Sequence, residues 1–223
     1  MTMWEIPSRR RELSRYFTGT ETQLTAETGE APIDDTAAAV RRIVDALART
    51  APRGEHLPGV TTELSRIADL LEARTDPVQD RLTDIWEGDG VARHDPATGP
   101  ENPIAPPLIL RVAEEGWVEG VVELGLPYQG PPGNVHGGIC AMLLDASLAV
   151  ANHRAGTNGM TAQLNIRYQR PTPVCTPITV RAKQLRAEGR KRFTVGELVV
   201  DGRVTASAEG LFIARKDRVV KTE

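Results

Sequence analysis

The proline-rich segment DPATGPENPIAPP, at positions 95–107, constrains the fold of this 223-residue chain more than any other stretch. Each proline fixes its own φ angle and has no amide hydrogen to donate, so the segment excludes a regular helix or a central strand. Apolar residues recur with a helical period before the segment and with a strand period after it. We therefore predict a helical N-terminal extension at residues 1–100 and a separate, sheet-containing domain at residues 101–223.

The N-terminal extension shows helical periodicity in three places. Two apolar stripes have the spacing i, i+3, i+4, i+7; they are Val40, Ile43, Val44 and Leu47, after Asp34 and Asp35, and Leu64, Ile67, Ala68 and Leu71. A third helix is predicted from Asp76 as its N-cap and Pro77 in its first turn, with Val78, Leu82 and Ile85 on one face. We expect these stripes to pack on the main domain or on a partner subunit, and no function follows from them.

The C-terminal domain alternates apolar and polar residues, which predicts strands. Candidate strands cover residues 117–126, 160–168, 178–186, 192–200 and 203–213, with turns at Glu188-Gly189 and Asp201-Gly202. Between the first two strands lies HGGICAMLLDASLAVANHRAG, whose composition predicts one long helix ending near Gly156. This order is typical of an α+β domain in which an antiparallel sheet wraps around a buried helix.

Composition and targeting signals exclude several classes of protein. The 27 Lys and Arg against 30 Asp and Glu, a net charge of −3 and 4% aromatic residues argue against a nucleic-acid partner. No stretch approaches the roughly 18 apolar residues of a membrane span. No apolar core follows Arg9–Arg11, which argues against a secretory signal, and Cys140 and Cys175 have neither metal-ligand nor redox spacing. We expect a cytoplasmic protein without a metal or another cofactor.

Asp145 is the most informative single residue, because it interrupts an otherwise apolar helix. An unpaired buried carboxylate costs several kcal/mol, so this side chain needs a partner or a role. Either it points to solvent or pairs with an arginine, or it acts as a general base or nucleophile in a water-poor pocket. The pattern alone leaves both interpretations open.

Two glycines follow His136 at the start of the same helix. Unpaired backbone N–H groups and the positive end of the helix dipole make such a start a candidate oxyanion hole, although HGG also occurs in ordinary tight turns. Gly137 and Asp145 are eight residues apart, which is about 12 Å along a helix. If both serve one carbonyl group, they must come from two protomers, which implies a symmetric dimer.

Several motifs together resemble the hotdog-fold acyl-coenzyme A thioesterases, in particular the branch with bacterial phenylacetate-pathway thioesterases and mammalian thioesterase-superfamily proteins. The resemblance covers roughly residues 105–215. It rests on YQGPPG at 128–133, HGG at 136–138, the aspartate nine residues after that histidine, MTAQLNIRYQRPTPVC at 160–175 and EGRK at 188–191. It implies that five or six antiparallel strands wrap around a helix at 137–155, and that two such units join edge to edge in a homodimer or a dimer of dimers.

The resemblance also implies roles for individual residues. Asp145 would activate water or attack the thioester carbonyl, while the Gly137 N–H, with that of Gly138, would bind the carbonyl oxygen. His136 would support this polarisation or hold the loop. Strict alternation places Thr161 on the polar face of its strand, and the resemblance places its hydroxyl near the aspartate, where it positions the water. One further residue, Asn134, would line the entrance to the site.

A basic run suits a polyanionic substrate such as coenzyme A. Six positive charges lie within twelve residues, at Arg181, Lys183, Arg186, Arg190, Lys191 and Arg192. The resemblance points to Arg190 and Lys191 as the phosphate contacts, whereas the alternative is a solvated strand edge that carries charge against aggregation.

The sequence therefore predicts hydrolysis of an acyl-CoA to a free acid and coenzyme A. Two alternatives remain open: a non-catalytic acyl-CoA-binding or regulatory hotdog protein, and a thioesterase acting on acyl-carrier protein.

Overall fold

A computed structural model of the chain describes residues 22–26, 29, 31–78 and 93–214. The helices are α1 (Pro32–Ala48), α2 (Leu57–Glu72) and α3 (Gly137–Arg154). The strands are β1 (Arg111–Val112), β2 (Val118–Glu123), β3 (Met160–Tyr168), β4 (Pro177–Glu188), β5 (Lys191–Val200) and β6 (Arg203–Ile213). A six-stranded antiparallel sheet packs on α3, and two helices precede it, which confirms the predicted α+β hotdog fold and its helical extension.

Two predictions fall on other parts of the chain. Most of the third helix, including Leu82 and Ile85, and the arginine triplet near the N-terminus lie outside the described residues. Within the described part, no helix combines the length and the apolar character needed to cross a membrane.

Helix α3 is apolar on nearly all sides, which is typical of a helix buried in a core. Leu143, Leu144 and Leu148 are fully buried against the sheet. The helix lies so close to β6 that a Cβ atom on Gly210 would be 2.9 Å from a methyl carbon of Leu148. On β5, a Cβ on Gly196 would be 3.2 Å from the same leucine. Glycine at these two positions therefore lets the helix approach the strands directly.

The strand order in the sheet is β1-β2-β4-β5-β6-β3. The predicted meander is present as β4-β5-β6, while β3 pairs with β6 at the far edge and β2 pairs with β4. At the β5–β6 turn, Asp201 and Gly202 have φ angles of 48° and 73°, as a type I′ hairpin requires. The β4–β5 turn is Gly189-Arg190, one residue later than predicted, and Gly189 has the positive φ, 52°.

A β-bulge in β3 corrects one prediction about Thr161. Thr161 lies opposite Phe212 and Gln163 lies opposite Leu211, so Ala162 is an extra residue. Phe212 faces the core and is 1% exposed. Because cross-strand neighbours share a face, the bulge moves Thr161 to the helix-facing side. The strict alternation that placed it on the outer, polar face was wrong, since a bulge shifts the period by one residue.

Helix α1 packs on the domain through a polar face and not through its apolar stripe, so the first of the two predicted packing modes was wrong. Asp34 and Ala37 are buried, and Arg41 is half-buried on the same side. On the predicted stripe, Val44 and Leu47 are instead 44% and 53% exposed. Helix α2 buries none of its residues. Within this chain, polar contacts therefore attach α1, and packing of the apolar stripes on a partner subunit stays a prediction.

The proline-rich segment contains turns and no helix or strand, as predicted. It is nevertheless packed, because Ala97 and Ala105 are fully buried. Residues 22–26 also join the domain, since the Leu24 N–H donates to the Leu110 carbonyl at 2.8 Å beside β1. The domain boundary near residue 100 stays a prediction. The chain is packed against the domain on both sides of this boundary.

A partly buried ion triad anchors α1 to this segment. Arg93 binds both carboxylate oxygens of Asp34, at 2.8 and 2.9 Å, and also Glu101 at 2.6 Å. Asp34 is only 3% exposed. Burial alone would raise the pKa of Asp34, but hydrogen bonds from Arg93 and from the Gly29 N–H hold this pKa below its ordinary value of 3.8.

We expect Asp34→Asn to lower the free energy of unfolding by about 3 kcal/mol at pH 7, because it removes the buried carboxylate of the triad and leaves Arg93 with Glu101 alone as a charged partner. The folded-state pKa of Asp34 is lowered, so its stabilisation is complete above the unfolded-state pKa, about 3.9, and is lost as the pH falls through the folded-state pKa. Urea unfolding at several pH values between 7 and 3 checks this. The exposed neighbour Asp35→Asn is the control, with an expected loss below about 1 kcal/mol; equal losses for both variants would contradict the role of the triad.

Candidate active site

The loop before α3 is held by its own backbone. The Gly130 N–H donates to the Asn134 carbonyl and the His136 N–H to the Tyr128 carbonyl, each at 2.9 Å. A Cβ atom on Gly130 would lie 2.8 Å from the Cα of His136. Only glycine allows the two strands of the loop to lie this close together. The loop therefore holds His136 in a defined position at the start of α3.

Asn134 contributes to this loop through its side chain. Its Nδ2 donates to the Pro132 carbonyl at 3.0 Å, and its backbone bridges to Pro173. The structure therefore places Asn134 on the same loop as His136, half-buried, with its amide nitrogen used to shape the turn.

His136 is the N-cap of α3. Its Nδ1 accepts a hydrogen bond from the Gly138 N–H at 3.0 Å, and the Tyr168 hydroxyl donates to the Gly137 carbonyl at 2.8 Å. The peptide unit between Gly137 and Gly138 is therefore held at both ends. Burial, and to a lesser extent Cys140, raises the pKa of Tyr168, so the phenol keeps the proton that it donates.

These contacts distinguish the two glycine N–H groups. The Gly138 N–H, expected to share in oxyanion binding, is used by the imidazole of His136. The Gly137 N–H has no acceptor within the described chain, as expected for the first residue of a helix. It lies at the positive end of the helix dipole, where an oxyanion is favoured.

Asp145 is half-buried on α3 and faces the start of β3. The hydroxyl of Thr161 donates to its Oδ1 at 2.9 Å, and this contact depends on the bulge that turns Thr161 inward. No arginine or lysine in the described part of the chain pairs with Asp145, and its Oδ2 accepts no hydrogen bond there. The carboxylate is thus fixed through one oxygen and leaves the other available.

The two parts of the site lie at opposite ends of β3. Thr161 near its start contacts Asp145, while Tyr168 at its end contacts Gly137. β3 is the edge strand of the sheet, and most of its residues are exposed on both faces. Within one chain, therefore, the carboxylate and the unpaired N–H do not converge.

The structure divides the basic run into paired and exposed cations. Arg181 pairs with Glu197 at 2.9 Å, Arg186 pairs with Glu188 at 2.6 Å, and Arg192 donates to the Gly189 and Lys191 carbonyls. These three side chains bind partners on β4, β5 and the turn between them. The alternative interpretation, a charged strand edge, was wrong for this run, because β4 and β5 lie inside the sheet.

Arg190 and Lys191 are both exposed at the β4–β5 turn. The Nε of Arg190 donates to the Ala214 carbonyl at 2.8 Å. Lys191 pairs across the sheet with Ile213, which pairs with Met160. Two strand spacings, about 10 Å, therefore separate this turn from the start of β3, where Thr161 lies.

Sequence reasoning missed Tyr168 as a residue of the candidate site. Its contact with Gly137 joins residues 31 positions apart, and alternation alone identified it only as an apolar member of its strand. Tyr128 belongs to the YQGPPG motif but was given no role, although its carbonyl accepts a hydrogen bond from the His136 N–H. Neither contact leaves a signal in the spacing of the residues.

Two family models match the chain. Residues 24–80 match the N-terminal helical domain of hypothetical protein RHA1_ro05818, and residues 132–207 match the thioesterase superfamily. The first match falls on the helical extension and the second on the loop, α3 and most of the sheet.

A solved crystal structure of a thioesterase superfamily protein is 49% identical, with a TM-score of 0.80, and the alignment covers 86% of this chain and 96% of that one. Acyl-coenzyme A thioesterase THEM4 of Bos taurus is 38% identical over 40% of this chain and 38% of its own length. The Mus musculus protein of the same name is 41% identical over 31% and 30%, respectively. The chain thus spans less than half the length of these curated relatives.

We expect His136→Ala to lower the free energy of unfolding by about 1 kcal/mol, because it removes the acceptor that caps α3. His136→Asn should keep most of that stability, since an asparagine Oδ1 also accepts from the first-turn N–H groups. Thermal and urea unfolding of the two variants beside the wild type measure the difference. If both substitutions were equally destabilising, the cap would not be the contribution of His136.

Proposed function

Because the chain belongs to the thioesterase superfamily, we propose that it hydrolyses the thioester of an acyl-CoA to a free carboxylic acid and coenzyme A. The observation that carries the proposal is the hydrogen bond that fixes the half-buried carboxylate of Asp145 to Thr161. Thioester hydrolysis needs a base that activates water and a donor that stabilises the oxyanion. Asp145 supplies the first, and the Gly137 N–H supplies the second.

A complete site requires two copies of the chain in this proposal. Asp145 and Gly137 are about 12 Å apart along α3, too far to contact one carbonyl group. Antiparallel pairing of β3 with β3 of a second copy, about a two-fold axis at Asn165 and with Ala162 as the extra residue, would place Thr161 opposite Tyr168 of that copy. Since Thr161 holds Asp145 and Tyr168 holds Gly137, each end of the junction would contain one base and one oxyanion donor.

Asp145 acts as the general base in the proposed reaction. With Oδ1 occupied by Thr161, Oδ2 accepts a proton from water as the water oxygen forms a bond with the thioester carbon. The oxyanion that develops accepts a hydrogen bond from the Gly137 N–H, which is stronger in the transition state than in the ground state. As the tetrahedral intermediate collapses, the carbon–sulfur bond breaks. The departing sulfur then takes the proton from Asp145, and the acid and the thiol leave.

Coenzyme A is proposed as the carrier on two grounds. The curated relatives are named acyl-coenzyme A thioesterases, and Arg190 and Lys191 offer exposed cations at the end of the sheet that holds Thr161. Phosphate contacts with such cations are charge-assisted. An acidic acyl-carrier protein is the rival carrier, and competition by free coenzyme A separates the two.

We expect Asp145→Asn to lower kcat by a factor of about 10²–10⁴, because the amide cannot accept the proton of water. Thr161→Val should lower kcat by about ten-fold, since it removes one hydrogen bond to a charged group. The measurement is thiol release from acyl-CoAs ranging from acetyl to palmitoyl, with phenylacetyl and benzoyl included. Asp201→Asn, in the exposed β5–β6 turn, is the matched control and should retain full activity.

Three results would contradict this account. Full turnover by Asp145→Asn would show that Asp145 is not the base. Binding of acyl-CoA without turnover by the wild type would favour the non-catalytic alternative. Label in the protein after a single turnover in ¹⁸O-labelled water would also contradict it, because direct attack by Asp145 forms an anhydride, and water that opens this anhydride at the aspartyl carbon leaves its oxygen in the protein.

We expect Arg190→Ala to raise KM for acyl-CoA by about five- to ten-fold with little change in kcat, because a phosphate contact far from the thioester contributes to binding alone. Steady-state kinetics and the affinity for free coenzyme A measure this effect. Arg186→Ala is the control, since Glu188 already neutralises Arg186. An equal rise of KM in both variants would indicate a general charge effect rather than a site at the turn.

A further inference from the structure

We infer that helix α1 of the N-terminal extension positions the loop that carries the Gly137 N–H, and that Arg41 is the positioning residue through which it does so. The inference rests on the proposed function, because it assigns the loop its task in oxyanion binding. It gives a role to a part of the chain that lies outside the sheet and the central helix.

The first contact joins α1 to the proline-rich segment. Arg41 is half-buried, and its Nη1 donates to the Asn102 carbonyl at 2.8 Å and to the Pro100 carbonyl at 3.3 Å. This segment has no helix or strand of its own, so a guanidinium group supplies hydrogen bonds that secondary structure does not. The triad of Asp34, Arg93 and Glu101 adds a second connection between α1 and the same segment.

The second contact joins the proline-rich segment to the loop. The hydroxyl of Tyr128 donates to the Ile104 carbonyl at 3.0 Å, and burial raises the pKa of Tyr128, which keeps the hydroxyl protonated. The guanidinium of Arg41 lies close enough to this phenol for the two to interact electrostatically. Arg41 therefore borders both the segment and the ring that the segment holds.

The third contact reaches the start of α3. The carbonyl of Tyr128 accepts from the His136 N–H at 2.9 Å, and the His136–Gly137 peptide carries the unpaired N–H. Helix α1 also meets the beginning of the loop directly, because a Cβ atom on Gly125 would lie 2.7 Å from the Oδ1 of Asp45. Two successive hydrogen bonds thus connect the segment that Arg41 holds to the cap of α3.

This support matters because the glycines of the loop allow its backbone many conformations. Glycines lie at positions 125, 130 and 133, and glycine restricts the backbone less than any other residue. An oxyanion donor must be held close to its productive position, since a misplacement of about 1 Å costs about 10²-fold in rate. A looser loop should therefore lower kcat, whereas contacts of coenzyme A at the distant β4–β5 turn should persist.

The test compares Arg41→Met with Arg42→Met in the full-length chain. Both changes remove a positive charge from adjacent positions of α1, but Arg42 is exposed and forms no hydrogen bond or ion pair among the described residues. For Arg41→Met we expect kcat to fall by about ten-fold with KM within two-fold, because the loss is one of geometry. We also expect amide hydrogen exchange at residues 126–140 to be at least three-fold faster than in the wild type. Arg42→Met should leave both quantities unchanged.

A second variant tests the contact path at a single atom. Tyr128→Phe removes only the hydroxyl that binds Ile104 and should change exchange and kcat in the same direction. Because both substitutions cut one path, their combination should cost little more than the larger single effect. Additive losses would mean that Arg41 and Tyr128 act independently, which would overturn the inference.

The remaining outcomes are also decisive. Unchanged exchange in Arg41→Met, or faster exchange with unchanged kcat, would overturn the inference. A general loss of protection throughout the sheet would also do so, since it would assign Arg41 to global stability. If the wild type hydrolysed no acyl-CoA, the proposed function would fail, while the exchange data would still decide whether α1 holds the loop.

Discussion

The arrangement of the domain depends on the contact between helix α3 and two glycines of the sheet. A Cβ atom on Gly196 would lie 3.2 Å from Leu148 and 3.4 Å from Leu144, and one on Gly210 would lie 2.9 Å from Leu148, so glycine at both positions lets these leucines pack directly on the strands. Burial of each such leucine contributes about 1.5–3 kcal/mol, so this face of the helix is firmly oriented. Successive residues of a helix are rotated by about 100°, and Asp145 therefore cannot share that face. Its side chain projects toward β3, where the Thr161 hydroxyl donates a hydrogen bond to it. The position of the candidate base thus follows from the packing of the leucine before it.

The N-terminal extension is attached by a different kind of interaction. The sheet and α3 share an apolar core, whereas α1 is joined through Asp34, Arg93 and Arg41, whose hydrogen bonds have defined directions. Apolar contacts tolerate sliding, but charge-assisted hydrogen bonds from guanidinium groups to a carboxylate and to backbone carbonyls restrict both distance and angle. Polar attachment therefore contributes more to the precise position of α1 than to the stability of the fold. That property suits an element whose inferred task is to hold a loop in one place.

Much of the fold follows from periodicity, while the fine geometry of the site does not. The bounds of β3 and β6 and the long central helix were predictable, because alternation and composition are local signals. The bulge at Ala162 was not, since MTAQLNIRY alternates regularly and the extra residue is visible only against β6. The polar docking of α1 was also hidden, because Asp34 and Arg93 are 59 positions apart. Spacing identified Asp145 and HGG as candidates, but only the fold distinguishes the unpaired Gly137 N–H from the engaged Gly138 N–H.

The bulge in β3 also bears on the solubility of the chain. An exposed edge strand presents unpaired backbone groups to which strands of unrelated molecules can add, and such an edge is a recognised hazard for aggregation. A regular edge accepts any register, whereas a bulge bends the strand and interrupts the repeat of donors and acceptors. The extra residue at Ala162 therefore limits the ways in which another strand can add to β3. A single inserted residue thus orients Thr161 toward Asp145 and also restricts the ways in which another strand can pair with this edge.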